Sequence, residues 1–409
     1  MNSSYEQKHP LYAASFTKRR KAMDLYEGGE RIEGNRAYLT RHTYESDKQY
    51  DIRASRATYR NFAAPIVDVF ASFINEGRPE RILPDALRPI EADADRYGMT
   101  ADAFFADVTR LAAAGGARFV IVDMEQKKGE TVAEDRASGR RMVPYFTSIS
   151  PDDVWDWGMD AKGLAWAVVH SEEMEHPAAF AAPLRYETLT VWTRDSWTRY
   201  RRPMKDKENT EYAIAEDGER KHGLGAVPLV PFLFEPTSPM TGLPATDDVL
   251  SLILRIYRRD SELDKMLFDR AVPLLNVGGV SQEHWDTFVV ASSNALMSTE
   301  PGGITAQYVE PVRHRVSGAG RSPCPRRGQR AGNLPSYGPS AIRRGRVRRV
   351  QGHRQNTARH AACQLRPAQR QRAEALCWKL AARWLGAKED GSEATVKIKG
   401  QTPAKEGQG

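Results

Sequence analysis

Residues 100–123 read TADAFFADVTRLAAAGGARFVIVD, and this stretch decides the fold. Thr100 is a helix N-cap type, and Asp102 sits in the first turn, where a negative charge suits the helix dipole. Phe104, Phe105, Val108, Leu111 and Ala112 recur at helical spacing and form one apolar face. Gly115-Gly116 supplies the stop. Arg118 to Asp123 follows as a short apolar run, predicted to be a strand that is mostly buried. A helix leading into a strand, with more strands downstream, predicts an α+β protein.

Upstream, residues 1–58 are polar and mixed, and Lys18-Arg19-Arg20-Lys21 reads as a solvated helix face. A helix is predicted over Tyr59 to Asn75, with Tyr59, Phe62, Ile66, Phe70 and Phe73/Ile74 as its stripe. Pro65 should kink it, and Gly77 should end it. Downstream, Met142 to Ser148, Leu164 to His170, Tyr186 to Thr193, Ser196 to Arg202 and Leu229 to Phe234 read as strands. Asp195-Ser196 marks a hairpin turn. The charged stretch 205–222 reads as a loop, and Pro228, Pro231, Pro236, Pro239 and Pro244 close the strand-rich part.

Thr246-Asp247-Asp248 opens the longest predicted helix. Val249, Ile253, Ile256, Leu263 and Leu267 lie along one face, interrupted by Asp260, and charged residues crowd the rest. It ends before Pro273. A strand (Leu274 to Val280), a helix (Gln282 to Ser293) and a strand (Ile304 to Val309) follow. Ala375 to Leu385 is an amphipathic helix ended by Gly386, and Thr395 to Lys399 alternates as a strand does. The tail after it reads as disordered. The expected organisation is a helical part at 1–115, a strand-rich part at 116–245 and a helix–strand–helix–strand part at 246–310. An Arg-rich segment at 311–373 and a C-terminal helix, strand and tail at 374–409 complete it.

The chain has 409 residues, 40% of them apolar, which is enough for two or three compact units. No apolar run is long enough to cross a bilayer, and residues 1–15 lack a signal-peptide pattern, so no membrane partner is expected and synthesis is placed in the cytoplasm. Cys324, Cys363 and Cys377 are too few and scattered for a disulfide framework or a zinc cluster. The formal charge of +7 comes from one place: residues 311–373 hold 16 Arg and no Asp, Glu or Lys. Removing those 16 from 60 basic residues leaves 44 against 53 acidic ones, a balance of −9.

Motifs for chemistry are sparse. There is no phosphate-cradling G-x-x-x-x-G-K-[ST], no G-x-S-x-G and no H-E-x-x-H. Gly223-Leu224-Gly225 lacks the third glycine of a dinucleotide fingerprint. His170, Glu172, Glu173, Glu175 and His176 form the densest group of ligand types. On a strand, His170, Glu172 and His176 would share a side and converge on a metal. The alternative, adopted here, is an exposed strand end with solvated charges. Asp152-Asp153 and Asp156 beside Trp155 and Trp157 offer paired carboxylates near aromatic platforms, as in a carbohydrate-active site using Asp153 and Asp156. The plainer reading is a turn with tryptophans packed behind it. No catalytic, cofactor-binding or metal-binding residue is assigned, and no enzyme activity is expected.

Residues 311–373 have three readings. Arg binds phosphate strongly, so the segment, densest at Arg343 to Arg349, would serve a nucleic-acid-binding arm. It would equally serve as a disordered basic linker. The third reading is that two compensating frameshifts bracket it. It lacks Lys, Asp, Glu, Phe, Met and Trp at once, and GC-rich coding DNA read out of frame yields such a composition.

The order of elements resembles that of the portal proteins of tailed bacteriophages. Gly115 to Asp123 looks like the glycine-then-strand element of one portal subfamily. Pro144-Tyr145 and Ser150-Pro151-Asp152-Asp153-Val154-Trp155-Asp156-Trp157 look like its next strand and turn. Ala226 to Phe232 looks like the strand before the long helix. Thr241-Gly242-Leu243-Pro244, the helix from Asp247 with Tyr257 and Asp260, and the strand Tyr308-Val309-Glu310 follow in order. The resemblance covers roughly residues 10–310 and returns at 374–399. Residues 311–373 depart from it, lacking the family's patterned helices, and its C-terminal helical region is not represented.

The resemblance implies a ring of subunits, usually twelve, at one capsid vertex of the virion, assembled in the host cytoplasm. Double-stranded DNA passes through such a ring, driven by a separate terminase motor, and the capsid and head–tail adaptor proteins bind around it. The strand-rich part would be the wing, the helix from Thr246 to Arg270 a stem helix, residues 273–295 stem and clip, and 311–373 would cover the tunnel-facing element. Which residues face DNA is not implied. The balance of −9 outside the Arg-rich segment suits a channel that must not grip a duplex, because exposed Arg would bind phosphate.

Overall fold

The computed structural model describes residues 4–43, 45–76, 79–125, 142–206, 211–271, 274–278, 305–309, 368–386 and 397–399. It is an α+β chain that divides into two compact units. One comprises 1–31, 61–253 and 350–409, and the other 32–60 and 254–349. The predicted helix at Gln282 to Ser293, most of the Arg-rich segment and the tail lie outside the described residues.

In the first unit, α1 (Pro10–Glu27) starts with Pro10 in its first turn and ends at Gly28, whose φ is +66°. Its basic run is not wholly solvated, contrary to the sequence reading, because Arg19 is buried. In the second unit, α2 (Asp47–Arg56) opens with a capping box between Ser46 and Gln49. Back in the first, α3 spans Ala63–Asn75 and not Tyr59 to Asn75. Asn61 Oδ1 accepts from the Ala64 amide, which sets the start. Pro65 therefore falls in the first turn, where its missing N–H costs nothing and it does not kink the helix. The buried face is also shifted: Ala63, Val67, Ala71 and Ile74 are buried, whereas Phe62 and Phe73 are exposed.

After β1 (Glu80–Ile82) and the short α4 (Arg88–Ala92), α5 runs Ala101–Gly115. Thr100 Oγ1 caps it by accepting from the Ala103 amide, and Gly116 ends it in the left-handed region. Gly116 has a second task. A Cβ there would lie 2.4 Å from the Gly242 carbonyl oxygen, so two backbones touch at this point.

The strand β2 (Ala117–Asp123) is central in an antiparallel sheet of order β3-β2-β9, with β3 at Tyr145–Ile149 and β9 at Leu229–Leu233. Val120 and Val122 join a core with Phe104, Phe105, Phe146, Phe232 and Trp378. Phe119 and Ile121 point the other way, into a core with Trp155, Trp157, Val169, Leu189, Trp192 and Trp197. A strand buried on both sides reads as a continuous apolar run, as this one does.

The second sheet is an antiparallel meander, β4 (Val154–Asp160), β5 (Gly163–Glu175), β6 (Leu184–Thr193), β7 (Ser196–Pro203) and β8 (Ala213–Lys221). Two strands correct the sequence reading. β4 occupies the stretch read as a turn, which is confined to Pro151–Asp153, and β8 occupies the stretch read as a charged loop. β6 and β7 are joined by Arg194-Asp195, one residue before the expected turn. The pair β10 (Glu235–Pro236) and β11 (Gly242–Leu243) leads to α6 (Leu250–Ala271). Thr246 is not its N-cap but a buried residue of the preceding turns, its carbonyl accepting from Val249 and Leu250. The buried side of α6 is Leu250, Ile253, Leu254, Tyr257 and Ser261; Leu263 and Leu267, assigned to it from the sequence, are exposed.

In the second unit, β12 (Leu274–Gly278) pairs antiparallel with β13 (Thr305–Val309). Residues 32–60 are tied to α6 by polar bonds. Tyr257 Oη donates to the Ile32 carbonyl at 3.3 Å and Arg258 Nε to that of Tyr38 at 2.8 Å. In the first unit, α7 spans 368–384, so ordinary amphipathic structure begins at 368, inside the segment set apart by composition and not after it. Finally β14 (Lys397–Lys399) pairs antiparallel with β1.

Candidate functional site

Three of the side chains singled out for chemistry line one cleft between the two sheets of the first unit. Asp153, His170 and Glu172 line it with Asp123, Ser148, Thr190 and Arg199, around about 540 Å³. β5 brings His170 and Glu172 to the cleft, and the turn before β4 brings Asp153.

His170 is held on three sides. Its ring lies flat on Trp155, centroids 4.4 Å apart with planes at 8°. Nε2 is 3.2 Å from Glu187 Oε1, and Nδ1 is 3.6 Å from Asp153 Oδ1. An ionised carboxylate only accepts, so Nε2 carries a proton in the Glu187 bond. Glu187 is buried and also accepts from Arg202 Nε at 2.8 Å; Arg202 reaches Glu6 at 2.9 Å. Histidine, carboxylate and guanidinium thus form a ladder across three strands.

The rest of the predicted ligand cluster is not brought together. Glu172 accepts from Arg185 at 2.9 Å, Glu173 pairs with Arg199 at 3.4 Å, and Glu175 pairs with Arg201 at 2.8 Å. His176 lies past the end of β5 and is exposed. Among the described residues no group of three His, Cys, Asp or Glu side chains converges as a metal site would require.

The paired carboxylates separate in the same way. Asp152 Oδ1 accepts two bonds from Arg19, Nε at 2.9 Å and Nη2 at 2.6 Å. The Asp156 carboxylate accepts from the Trp157 amide at 2.9 Å. A sugar platform needs an open aromatic face. Trp155 carries His170, and the Lys8 ammonium lies 4.3 Å from its ring centre; Trp157 carries the His9 ring at 4.0 Å. The tryptophans are buried, as the turn reading expected, and their faces are taken. Gly223 and Gly225 adopt positive φ in the turn between β8 and β9, flanking the buried Leu224, with no helix after them.

One group was missed by the sequence reading. Burial raises the Asp123 carboxyl, with the Met124 amide, Arg220 and the Tyr145 hydroxyl pulling it back. Burial pushes Tyr145 up to about 12, and the Asp123 charge adds to this. A perturbed carboxyl in a cleft is a candidate for proton transfer. Here it accepts from Tyr145 at 3.2 Å and faces Arg220 at 4.0 Å, while the nearby Ser148 hydroxyl is taken by Arg118 at 2.7 Å. The sequence signal was the acid ending an apolar run; its partners lie 22 and 97 positions away.

No family model matches the chain, and no curated protein matches it. Among solved structures, a chain of the neck of a native GTA particle, computed with C12 symmetry, aligns at 12% identity with a TM-score of 0.31, covering 67% of this chain and 64% of that one. A chain of the neck of an empty GTA particle, computed with C6 symmetry, aligns at 13% identity and TM-score 0.30, covering 61% and 58%. A chain of the virion of a native gene transfer agent (GTA) particle aligns at 13% identity and TM-score 0.31, covering 72% and 67%. The chain thus spans less than two thirds of the first two.

Proposed function

We propose that the chain is a structural subunit of a phage-type particle, specifically a portal subunit. By this reading it forms a ring at the capsid vertex, passes double-stranded DNA during packaging and ejection, and docks a terminase motor, capsid and head–tail adaptor proteins. It carries out no chemistry of its own, and its place is the virion.

The observation that carries the reading is the order of elements after the wing-like meander. β9 leads through Thr241-Gly242-Leu243-Pro244 into α6, a helix of 22 residues, then to β12 and its antiparallel partner β13. The portal resemblance expects a long helix, a strand, a helix and a returning strand; the long helix and the two paired strands stand in that order, and the second helix lies outside the described residues. At and beside the cleft, His170, Glu187, Arg202, Arg199 and Glu173 are engaged in cross-strand pairs, which stiffen a sheet, as a structural subunit needs.

The test is direct. The full chain is purified and imaged by negative-stain electron microscopy, with mass photometry at rising concentration. Rings of a dozen or so copies are expected. A chain that stays monomeric throughout sinks the reading, and hydrolysis of a glycoside that is lost in Asp153→Asn would replace it with an enzyme.

A further inference from the structure

We propose that residues 5–9 are an exchangeable arm: the groove that holds them on the meander takes the same five residues of a second copy, tying neighbouring chains arm to groove. The proposal rests on the assembly reading above and names a contact for it.

The arm is Tyr5-Glu6-Gln7-Lys8-His9, ahead of Pro10, the first residue of α1. Its side chains are seated in sequence. The Tyr5 ring lies beside those of Tyr200 and Tyr212, centroids 5.2 and 5.5 Å away. Glu6 Oε1 accepts from Arg202 Nη2 at 2.9 Å. The Lys8 ammonium stands 4.3 Å from the Trp155 ring centre, and the His9 ring lies on Trp157 with planes at 17°. The His9 amide donates to the Trp155 carbonyl at 2.9 Å, and Gln7 is exposed. The groove thus reads aromatic ring, acid, any residue, cation, aromatic ring. Any segment with that order fits, whichever copy it belongs to.

Arm and groove are unequal. The groove is built into strands: Arg202, Trp157 and Tyr212 are 10%, 7% and 8% exposed. The arm lies lightly on it, with Tyr5 40% and Glu6 46% exposed. Pro10 decides what a released arm does. It restricts the residue before it to extended backbone, and His9 has φ −57° and ψ 138°. Helix α1 therefore cannot grow backward to absorb the arm. The arm stays extended when free and loses little freedom on docking again.

Exchange keeps every contact and changes only which chain supplies the arm, which makes it a low-cost link between copies. Local concentration then decides. A short tether holds a chain's own arm at an effective concentration in the millimolar range, so a dilute chain keeps its own. A neighbour fixed in an assembly presents its arm at a comparable level, and the advantage disappears.

The test uses the full chain. A fluorescent peptide of residues 4–10, SYEQKHP, is titrated by anisotropy. It should bind the Tyr5→Ala/Glu6→Ala chain, whose own arm is disabled, at least about tenfold more tightly than the wild type, where the arm competes. A peptide carrying Glu6→Ala should bind that variant at least about tenfold more weakly than the unchanged peptide, and this change leaves the protein itself untouched. A photo-crosslinking residue in place of Gln7 then reports which chain the arm lies on. Adducts within one chain are expected in dilute solution, and two-chain adducts joining residue 7 to the meander in assembled material. A groove that ignores the peptide, or takes the Glu6→Ala peptide equally well, overturns the proposal. Rings that yield only single-chain adducts also overturn it and leave the assembly reading intact. A wild-type chain that never associates overturns both.

Discussion

Phe105 and Arg53 both hold a helix in place, by unlike means. Phe105 on α5 has Phe104, Phe146, Phe232 and Trp378 around it, with ring centres 5.3 to 6.4 Å away. Arg53 on α2 has Glu45 at 2.7 Å, the Thr40 carbonyl at 2.8 Å and Ser261 Oγ at 3.4 Å. The first arrangement depends on area removed from water and is indifferent to protonation. The second depends on two buried charges that must both be present, because either one alone is costly. The aromatic cluster around Phe105 is thus indifferent to protonation, whereas the clasp of residues 32–60 onto α6 responds to it.

The largest expected effect strikes the aromatic side. Trp378→Ala removes a fully buried ring from the Phe105 cluster and should cost about 4 kcal/mol in denaturant unfolding. A loss below about 1 kcal/mol would mean that α7 adds little there, and the contrast would collapse. Next comes Arg53→Ala, which strands the Glu45 carboxylate and should cost about 3 kcal/mol. Acid should do the same reversibly. Arg53 holds Glu45 down at about 2, against an ordinary value of 4.5. A depressed carboxyl contributes stability that is full above its unfolded value. That contribution therefore fades as pH falls from about 4.5 toward 2. Hydrogen exchange at pH 7 and pH 3 checks it: amides of 45–57 should lose protection while those of α5 keep theirs. Equal loss in both places would erase the distinction. The smallest effect sharpens it on the apolar side. Thr100→Ala removes the cap of α5 and should cost about 1 kcal/mol by thermal unfolding, at neutral and acid pH alike.

The same contrast explains what was legible in the sequence. α5 and β2 could be read to within a residue, because their signals are local: a cap, a 3.6-residue stripe, two glycines and an apolar run. The helix 63–75 was readable as a helix but not in its face, because the face is chosen by Ala113, Ala114 and Phe234, distant in sequence, against which Val67 and Ile74 pack. β8 hid behind Glu216, Asp217, Glu219, Arg220 and Lys221, since a strand whose pattern is charge carries no hydrophobic alternation. β4 hid because Asp next to Trp reads as a turn. The candidate cleft was half visible. Asp153, His170 and Glu172 could be picked out by type, but not the partners that disarm them. Glu187 lies one strand away, and Arg19 reaches Asp152 across 133 positions. Pairing between distant charges leaves no periodic trace in a sequence.

Helix 368–384 carries one more consequence. Trp384 Nε1 donates to the Val122 carbonyl at 2.9 Å, Trp378 is fully buried, and Lys397–Lys399 zips onto Glu80–Ile82. What fastens this part of the chain is therefore surface contact and not the peptide bonds leading to it. A protease that cuts anywhere between 310 and 367 should leave two polypeptides that co-purify, run as one species on a native gel and part only in denaturant. The piece from 368 onward behaves as a ligand of the rest, one encoded in the same chain.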